Sequence, residues 1–324
     1  MNKCLSFGVA LAVLLLIVVF APQASADAPL HPTNYVNCGP KRLPTFGTIQ
    51  AAVDNAGGGY TIKVCKGNYV ENVNVNDANM HGAPPFNTLD GLQIVDDEGV
   101  KLTCSNPALS GFDLHANSVT IQGFEITGCA SGITVEATYG LEVIAGNRLW
   151  GNGNGISFNP STGGNSVIDN EITKNTNDGI FDFSTPLDLI FDNDLQNNGA
   201  NGVEISTSGL NAAIEYNTAE GNGANGIYLN HAASVLIGGN TLIDNGNDGL
   251  YLNNSAALVI SGNTADRNED YGIELSSTSP GSTLVNNRMA GNELFDITDH
   301  TGPPSGNTYL NNHCGTSTGS APAC

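Results

Sequence analysis

From Gly132 onward the chain repeats one pattern of apolar and polar positions. A glycine followed by an aliphatic residue recurs at Gly132, Gly155, Gly179, Gly202, Gly226, Gly249 and Gly272, in steps of 23 or 24 residues. Asparagines keep time with it at Asn147, Asn170, Asn193, Asn217, Asn240, Asn263 and Asn287, and a second set follows five residues later, from Asn152 to Asn292. Two aliphatic columns share the period. Ile144, Val167, Ile190, Ile214, Ile237, Ile260 and Leu284 precede the asparagine, and Ile133, Ile156, Ile180, Val203, Ile227, Leu250 and Ile273 follow the glycine. A fixed period of this length marks a solenoid, in which a single lap cannot bury its apolar side chains but stacked laps can. The apolar runs are too short for a helical period and read as two short strands per lap. With laps stacked about 4.8 Å apart, equivalent residues become neighbours and the aliphatic columns close a continuous core. The pattern therefore predicts an all-β parallel β-helix over residues 46–312, with about 11 coils. The asparagines fit its turns. Asn tolerates the left-handed conformation, and its amide can bond the identical amide one coil away.

An open solenoid needs covered ends. Thr48–Asn55 reads as a short amphipathic capping helix with Ile49, Ala52 and Val53 on one face. Residues 27–45 precede it as an N-terminal extension, and residues 313–324 form a polar tail. Asn76–Gly91 interrupts the early coils with two prolines and no period. Residues 1–26 carry the marks of a signal peptide: Lys3, an apolar run from Val9 to Phe20, and Ala24-Ser25-Ala26 as the cleavage site. Removing it leaves Cys38, Cys65, Cys104, Cys129, Cys314 and Cys324. An even count in an exported chain points to disulfides, and the neighbouring pairs 38–65, 104–129 and 314–324 would staple both ends. Secretion, periplasmic or extracellular, is the expected location.

Charge narrows the partners. The chain has 10 Lys and Arg against 31 Asp and Glu; without Lys3 the balance is 9 − 31, a net −22. Such a surface repels phosphate backbones, which excludes nucleic acid as a partner. No segment beyond the leader approaches the eighteen apolar residues of a membrane span. A polyanionic ligand would need a bridging Ca²⁺, so a neutral glycan, or an acidic one through Ca²⁺, is the expected polysaccharide.

Two surfaces are candidates for chemistry. Asp169 and Asp192 precede the asparagines of consecutive coils, and Glu171 and Asp194 follow them. Stacking sets Asp169 over Asp192 and Glu171 over Asp194. Carboxylates that close hold a proton, as in glycosidase acid pairs, or bridge a cation such as Ca²⁺, or stay solvated. All three outcomes remain open for this quartet: catalytic, through Asp169, Glu171, Asp192 and Asp194; metal-binding, through Asp169, Asp192 and Asp194; or a plain acidic face. The second surface lies two residues after the repeat glycine. Strand alternation turns Phe181, Glu204, Tyr228, Tyr251 and Glu274 outward in one column, suited to sugar rings. Asp182 would then point inward, which predicts a bulge in its strand.

The pattern of asparagine, four residues and asparagine before glycine-aliphatic, as in Asn240-TLID-Asn245-GND-Gly249-Leu250, resembles the right-handed parallel β-helix repeat family. That group includes NosD-like periplasmic proteins and carbohydrate-binding and sugar-hydrolase repeat domains. The stretch FGTIQAAVDNAGGGYTIKVCKGNYVENV resembles the capping helix and first coil of pectate-lyase-like β-helices. The resemblance covers nearly all of residues 46–312 and implies a right-handed solenoid. It implies no particular activity, since the fold hosts lyases, hydrolases, epimerases, esterases and binders. The G-H-G and R-I-K blocks of polygalacturonases, the W-x-D-H of pectate lyases and the D-P-H of alginate epimerases are missing. Copper handling, suggested by the NosD-like resemblance, is disfavoured by scattered histidines (His31, His81, His115, His231, His300 and His313) and only 3 methionines. The expectation is a secreted β-helix engaging polysaccharide along one flank, as a binder or as a lyase, hydrolase or epimerase. The alternative is a structural or adhesive rod.

Overall fold

The computed structural model describes residues 32–76, 88–160, 162–183, 186–207, 210–319 and 321. The expected signal peptide, most of the Asn76–Gly91 interruption, His31, His81 and Cys324 lie outside them. The chain winds as a parallel β-helix. Its glycine-bearing strands form one 11-stranded sheet, and the other strands join into a 21-stranded sheet. Eleven strands enclose ten full laps (11 − 1), and every pairing is parallel, as in Ile227↔Leu250↔Ile273.

Whereas Thr61–Val70 and Gln93–Thr103 each run unbroken where later laps have two strands, from Thr120 to Asp299 each lap has three strands, not the two expected. In one lap these are Ser131–Val135, Val143–Ala145 and Arg148–Trp150. The corner between the last two is a left-handed residue, Gly146, followed by Asn147. The third strand adds a core column that the period analysis did not separate: Leu149, Ile172, Leu195, Ala219, Leu242, Ala265 and Met289, all 0 % exposed. The Ile144 and Ile133 columns are buried as well, at 1 % exposure or less. Each Val, Leu, Ile or Met among them contributes roughly 1.5–3 kcal/mol of transfer free energy before chain entropy is subtracted.

The asparagines line the inside of the corners as amide ladders. Asn222 is typical. Its Nδ2 donates to Asn245 Oδ1 (3.0 Å) and to the Leu195 carbonyl (3.0 Å), while its Oδ1 accepts from Asn198 Nδ2 (3.0 Å) and from the Asn198 backbone (3.1 Å). The ladder residues themselves are not left-handed, contrary to expectation. That conformation falls on the residue just before each one, for instance Asp169, Asp192, Asn197 and Asp244, all at φ 55°. The repeat glycine has a different cause. A Cβ on Gly226 would lie 2.6 Å from the carbonyl oxygen of Gly249 in the next lap, so the position is closed to side chains.

The N-terminal lid forms as expected. Helix Ile49–Asp54 is capped by Thr48, whose hydroxyl accepts from Ala51 N, and buries Ile49, Ala52 and Val53. Glu71 adds a carboxylate at that end, accepting from Ile49 N and Gln50 N at 3.0 Å each. Within the stretch read as an extension, Thr33–Val36 pairs with Thr61–Val64. Disulfides Cys38–Cys65 and Cys104–Cys129 are formed. Cys314 is also disulfide-bonded. Among the described residues no helix is long and apolar enough to cross a membrane.

Candidate functional site

The outward column two residues after the repeat glycine is in register through five laps: Phe181↔Glu204↔Tyr228↔Tyr251↔Glu274. All five side chains are half-buried, between inward neighbours that are fully buried. The Tyr228 and Tyr251 rings stack, with centroids 5.4 Å apart and planes 17° apart. One face of each ring is thus turned to the other, and what they offer a ligand is mainly edges and phenol groups. Asn253 Nδ2 donates to Tyr228 Oη at 3.2 Å. Asp182 does point inward, at 1 % exposure. The expected bulge is absent, because Asp182 pairs with Phe158 and Ile205 in unbroken register.

Two equivalent carboxyl pairs bracket the tyrosines. Asp178 and Asp248 occupy the position before the repeat glycine, three laps apart, and each meets an acid of the following lap, Glu204 or Glu274. In the first pair the Asn201 amide bridges, donating to Asp178 Oδ1 (3.0 Å) and Glu204 Oε2 (2.9 Å), and Ser206 Oγ donates to Glu204 Oε1 (2.7 Å). Burial still lifts both carboxyls above their ordinary range. In the second pair the bridging position holds Tyr271, which has no amide to give. Its backbone N–H satisfies Asp248 Oδ1 (2.9 Å), and the Asp248 and Glu274 carboxyls meet without an amide between them. Burial, together with the neighbouring Glu274 charge, pushes Asp248 up to about 8. Glu274 is also raised, chiefly by burial, although His300 Nε2 lies 3.3 Å from its Oε1. Both carboxyls are thus biased toward their protonated forms. Sequence reading missed Asp178, Asp248, Tyr271 and His300. The signal was available in the position before the glycine, where Asn154, Asp178, Asn201, Asn225 and Asp248 recur at the repeat period.

The other acidic set is arranged differently. Glu171 stacks on Asp194 as expected. Arg148 Nε already binds Glu171 Oε1 at 3.0 Å, and Gln196 Nε2 holds both Asp194 oxygens at 2.8 and 3.0 Å. Asp169 and Asp192 are exposed left-handed corner residues. Asp169 and Glu171 help line an open cleft of about 350 Å³ with Asp96, Glu125 and Arg148, whereas Asp192 and Asp194 do not reach it. Among the described residues, two groups bring three ligand atoms within 4.8 Å of one another, Cys38–Cys65–Asp97 and Asp113–His115–Glu136, and the quartet is not one of them.

Comparison with known proteins agrees with the fold. No curated protein matches the sequence. Among solved structures, the A-module of mannuronan C-5 epimerase AlgE4 from Azotobacter vinelandii is similar over 84 % of this chain and 95 % of its own, at 14 % identity and a TM-score of 0.62. XylC in complex with xylose is similar at 12 % identity and a TM-score of 0.61, covering 82 % of this chain and 69 % of its own. The catalytic unit of a GH87 α-1,3-glucanase from Streptomyces thermodiastaticus strain HF3-3 is similar at 13 % identity and a TM-score of 0.55, covering 82 % and 55 %. At such identities the likeness concerns the fold. A model for the right-handed β-helix region matches residues 155–315. A second model, described as periplasmic copper-binding protein (NosD), matches residues 48–212, just over half of the chain. With its stacked laps and its amide ladders, the protein belongs to the NosD family of right-handed parallel β-helix proteins.

Proposed function

We propose that this protein is exported and binds a polysaccharide along the outer face of its glycine-bearing sheet. The carrying observation is the column itself: two stacked tyrosines between two carboxyl pairs, all aligned along the solenoid axis. From Phe181 to Glu274 it extends four lap spacings, about 19 Å, the length of several sugar units. Ring edges meet sugar C–H groups, while the phenols, Glu204, Glu274 and Asn253 exchange hydrogen bonds with hydroxyls. The upward shifts of Asp248 and Glu274 make the column less negative than its composition, and a neutral glycan suits it best. Its solved neighbours include a mannuronan epimerase and an α-1,3-glucanase, consistent with a carbohydrate ligand. Disulfides and a family described as periplasmic support export. Retention on a polysaccharide panel, with and without EDTA, tests the reading. Wild type should be retained, and the Tyr228→Ala/Tyr251→Ala variant should lose retention at least tenfold. No retention on any polysaccharide would favour the rigid-rod alternative.

One observation favours catalysis at the same place. A buried carboxyl held above its ordinary range, beside another carboxyl and His300, has the make-up of a general acid and base. New reducing ends or unsaturated products from retained polysaccharide, lost in Glu274→Gln, would establish it. Retention without turnover would leave a binder.

A further inference from the structure

The far end of the same face carries a different cluster. Asp113 and His115 stand two residues apart on strand Phe112–His115, so both point outward. Glu136 follows strand Ser131–Val135 of the next lap. His115 Nε2 is 3.1 Å from Asp113 Oδ2, and one ligand atom from each of the three residues lies within 4.8 Å of the others. All three are half-buried, shielded yet reachable. Two oxygens here are left over. Asp113 Oδ1 and Asn74 Oδ1, from the paired position one lap earlier, are buried without a hydrogen-bond partner among the described residues. The Asn74 amide nitrogen instead faces Asp113 Oδ2 at 3.5 Å. A buried carboxylate oxygen with no donor is costly, and a cation between the three side chains removes that cost.

We propose that Asp113, His115 and Glu136, with Asn74 Oδ1 as a further oxygen donor, bind a divalent first-row transition ion. One imidazole and several oxygens suit Cu²⁺ or Zn²⁺. The set has no thiolate or thioether for Cu⁺, and its imidazole is foreign to the all-oxygen shells of Ca²⁺. The other cluster of suitable residues among those described, Cys38–Cys65–Asp97, has its sulfurs locked in a disulfide. Seven register steps, about 34 Å, separate Asp113 from Glu274, so the ion site and the tyrosine column are tested independently.

The test uses the full exported chain, stripped with EDTA and free of sugar, titrated calorimetrically with Zn²⁺ and separately with Cu²⁺. One equivalent should bind. His115→Ala and the near-isosteric Glu136→Gln should each weaken it at least tenfold, while His231→Ala, at an exposed imidazole, should change nothing. The Cu²⁺ form should show a single nitrogen ligand by electron paramagnetic resonance. Absence of saturable binding for both ions would overturn the proposal, as would binding that survives His115→Ala or a preference for Ca²⁺ over Zn²⁺. Matching circular dichroism of the variants separates loss of the site from loss of the fold.

Discussion

Glu142 offers a sharp test of how this solenoid tolerates charge. It precedes strand Val143–Ala145 and is 0 % exposed. Its Oε2 accepts from Val119 N at 2.7 Å, while Oε1 is buried with no partner among the described residues. Burial pushes the carboxyl from 4.5 up to about 8 against the Val119 hydrogen bond, with the charges of Asp90 and Asp188 adding to the rise. A folded-state pKa above the unfolded value means the folded chain binds more protons. Stability from this group is therefore complete below pH 4.5 and is lost as pH climbs toward 8. Through that window one proton separates the two states, and the slope is about 1.4 kcal/mol per pH unit. The shift of 3.5 units (8 − 4.5) sets a ceiling of roughly 5 kcal/mol. Glu142→Gln keeps an acceptor for Val119 and carries no charge at any pH. Its unfolding free energy should gain on wild type by about 1.4 kcal/mol per unit from pH 5 to 8, all other titrations cancelling in the difference. Urea unfolding at four pH values, read by Trp150 fluorescence, measures this. Trp150 is the only tryptophan, and it lies in the same lap as Glu142. Parallel stability–pH curves, or wild type gaining on the variant, would refute the reasoning.

Asn222→Ala should cost several kcal/mol, because it leaves the Leu195 carbonyl and the Asn198 amide unpaired at about 1–3 kcal/mol each. Asn197→Gly, at an exposed left-handed corner, should stay within about 1 kcal/mol of wild type; urea midpoints compare the two. Tyr271→Asn should install at Asp248–Glu274 the amide bridge that Asn201 provides at Asp178–Glu204. The Asp248 titration, followed by carboxyl carbon NMR, should then move to lower pH; an unchanged titration would show that Tyr271 is not what forces the direct contact.

The period made most of the fold legible. Residues 23 or 24 apart are hydrogen-bonded neighbours, so aliphatic and asparagine columns in the sequence are columns in space. The third strand escaped notice because its core contact is one residue, such as Leu149 or Ala219, set between outward neighbours such as Arg148 and Trp150 or Thr218 and Glu220. Alternation around Ile227 and Leu250 was enough to place Tyr228 and Tyr251 outward. It could not reveal the raised carboxyl of Asp248, which depends on burial and on Tyr271 standing where another lap has asparagine. The spacing of Asp169 and Asp192 has a backbone cause that the sequence did not show, since the corner selects a residue that tolerates the left-handed conformation. Asp113 and His115 precede the regular glycine count and Glu136 falls in its first lap, so no column drew attention to them.

The amide ladders also have a direction. Along the Asn152–Asn292 column each side-chain nitrogen donates toward the C-terminus, and the last one ends on the Asp296 carboxylate at 2.8 Å. The column before the glycine runs the other way, from Asn225 through Asn201, and it too ends on an aspartate, Asp178. A carboxylate only accepts, so it terminates a series of donors where another amide would ask for a successor. A duplicated lap inserted within the Asn152–Asn292 column would therefore keep every amide paired, because each added side chain finds an acceptor on one side and a donor on the other.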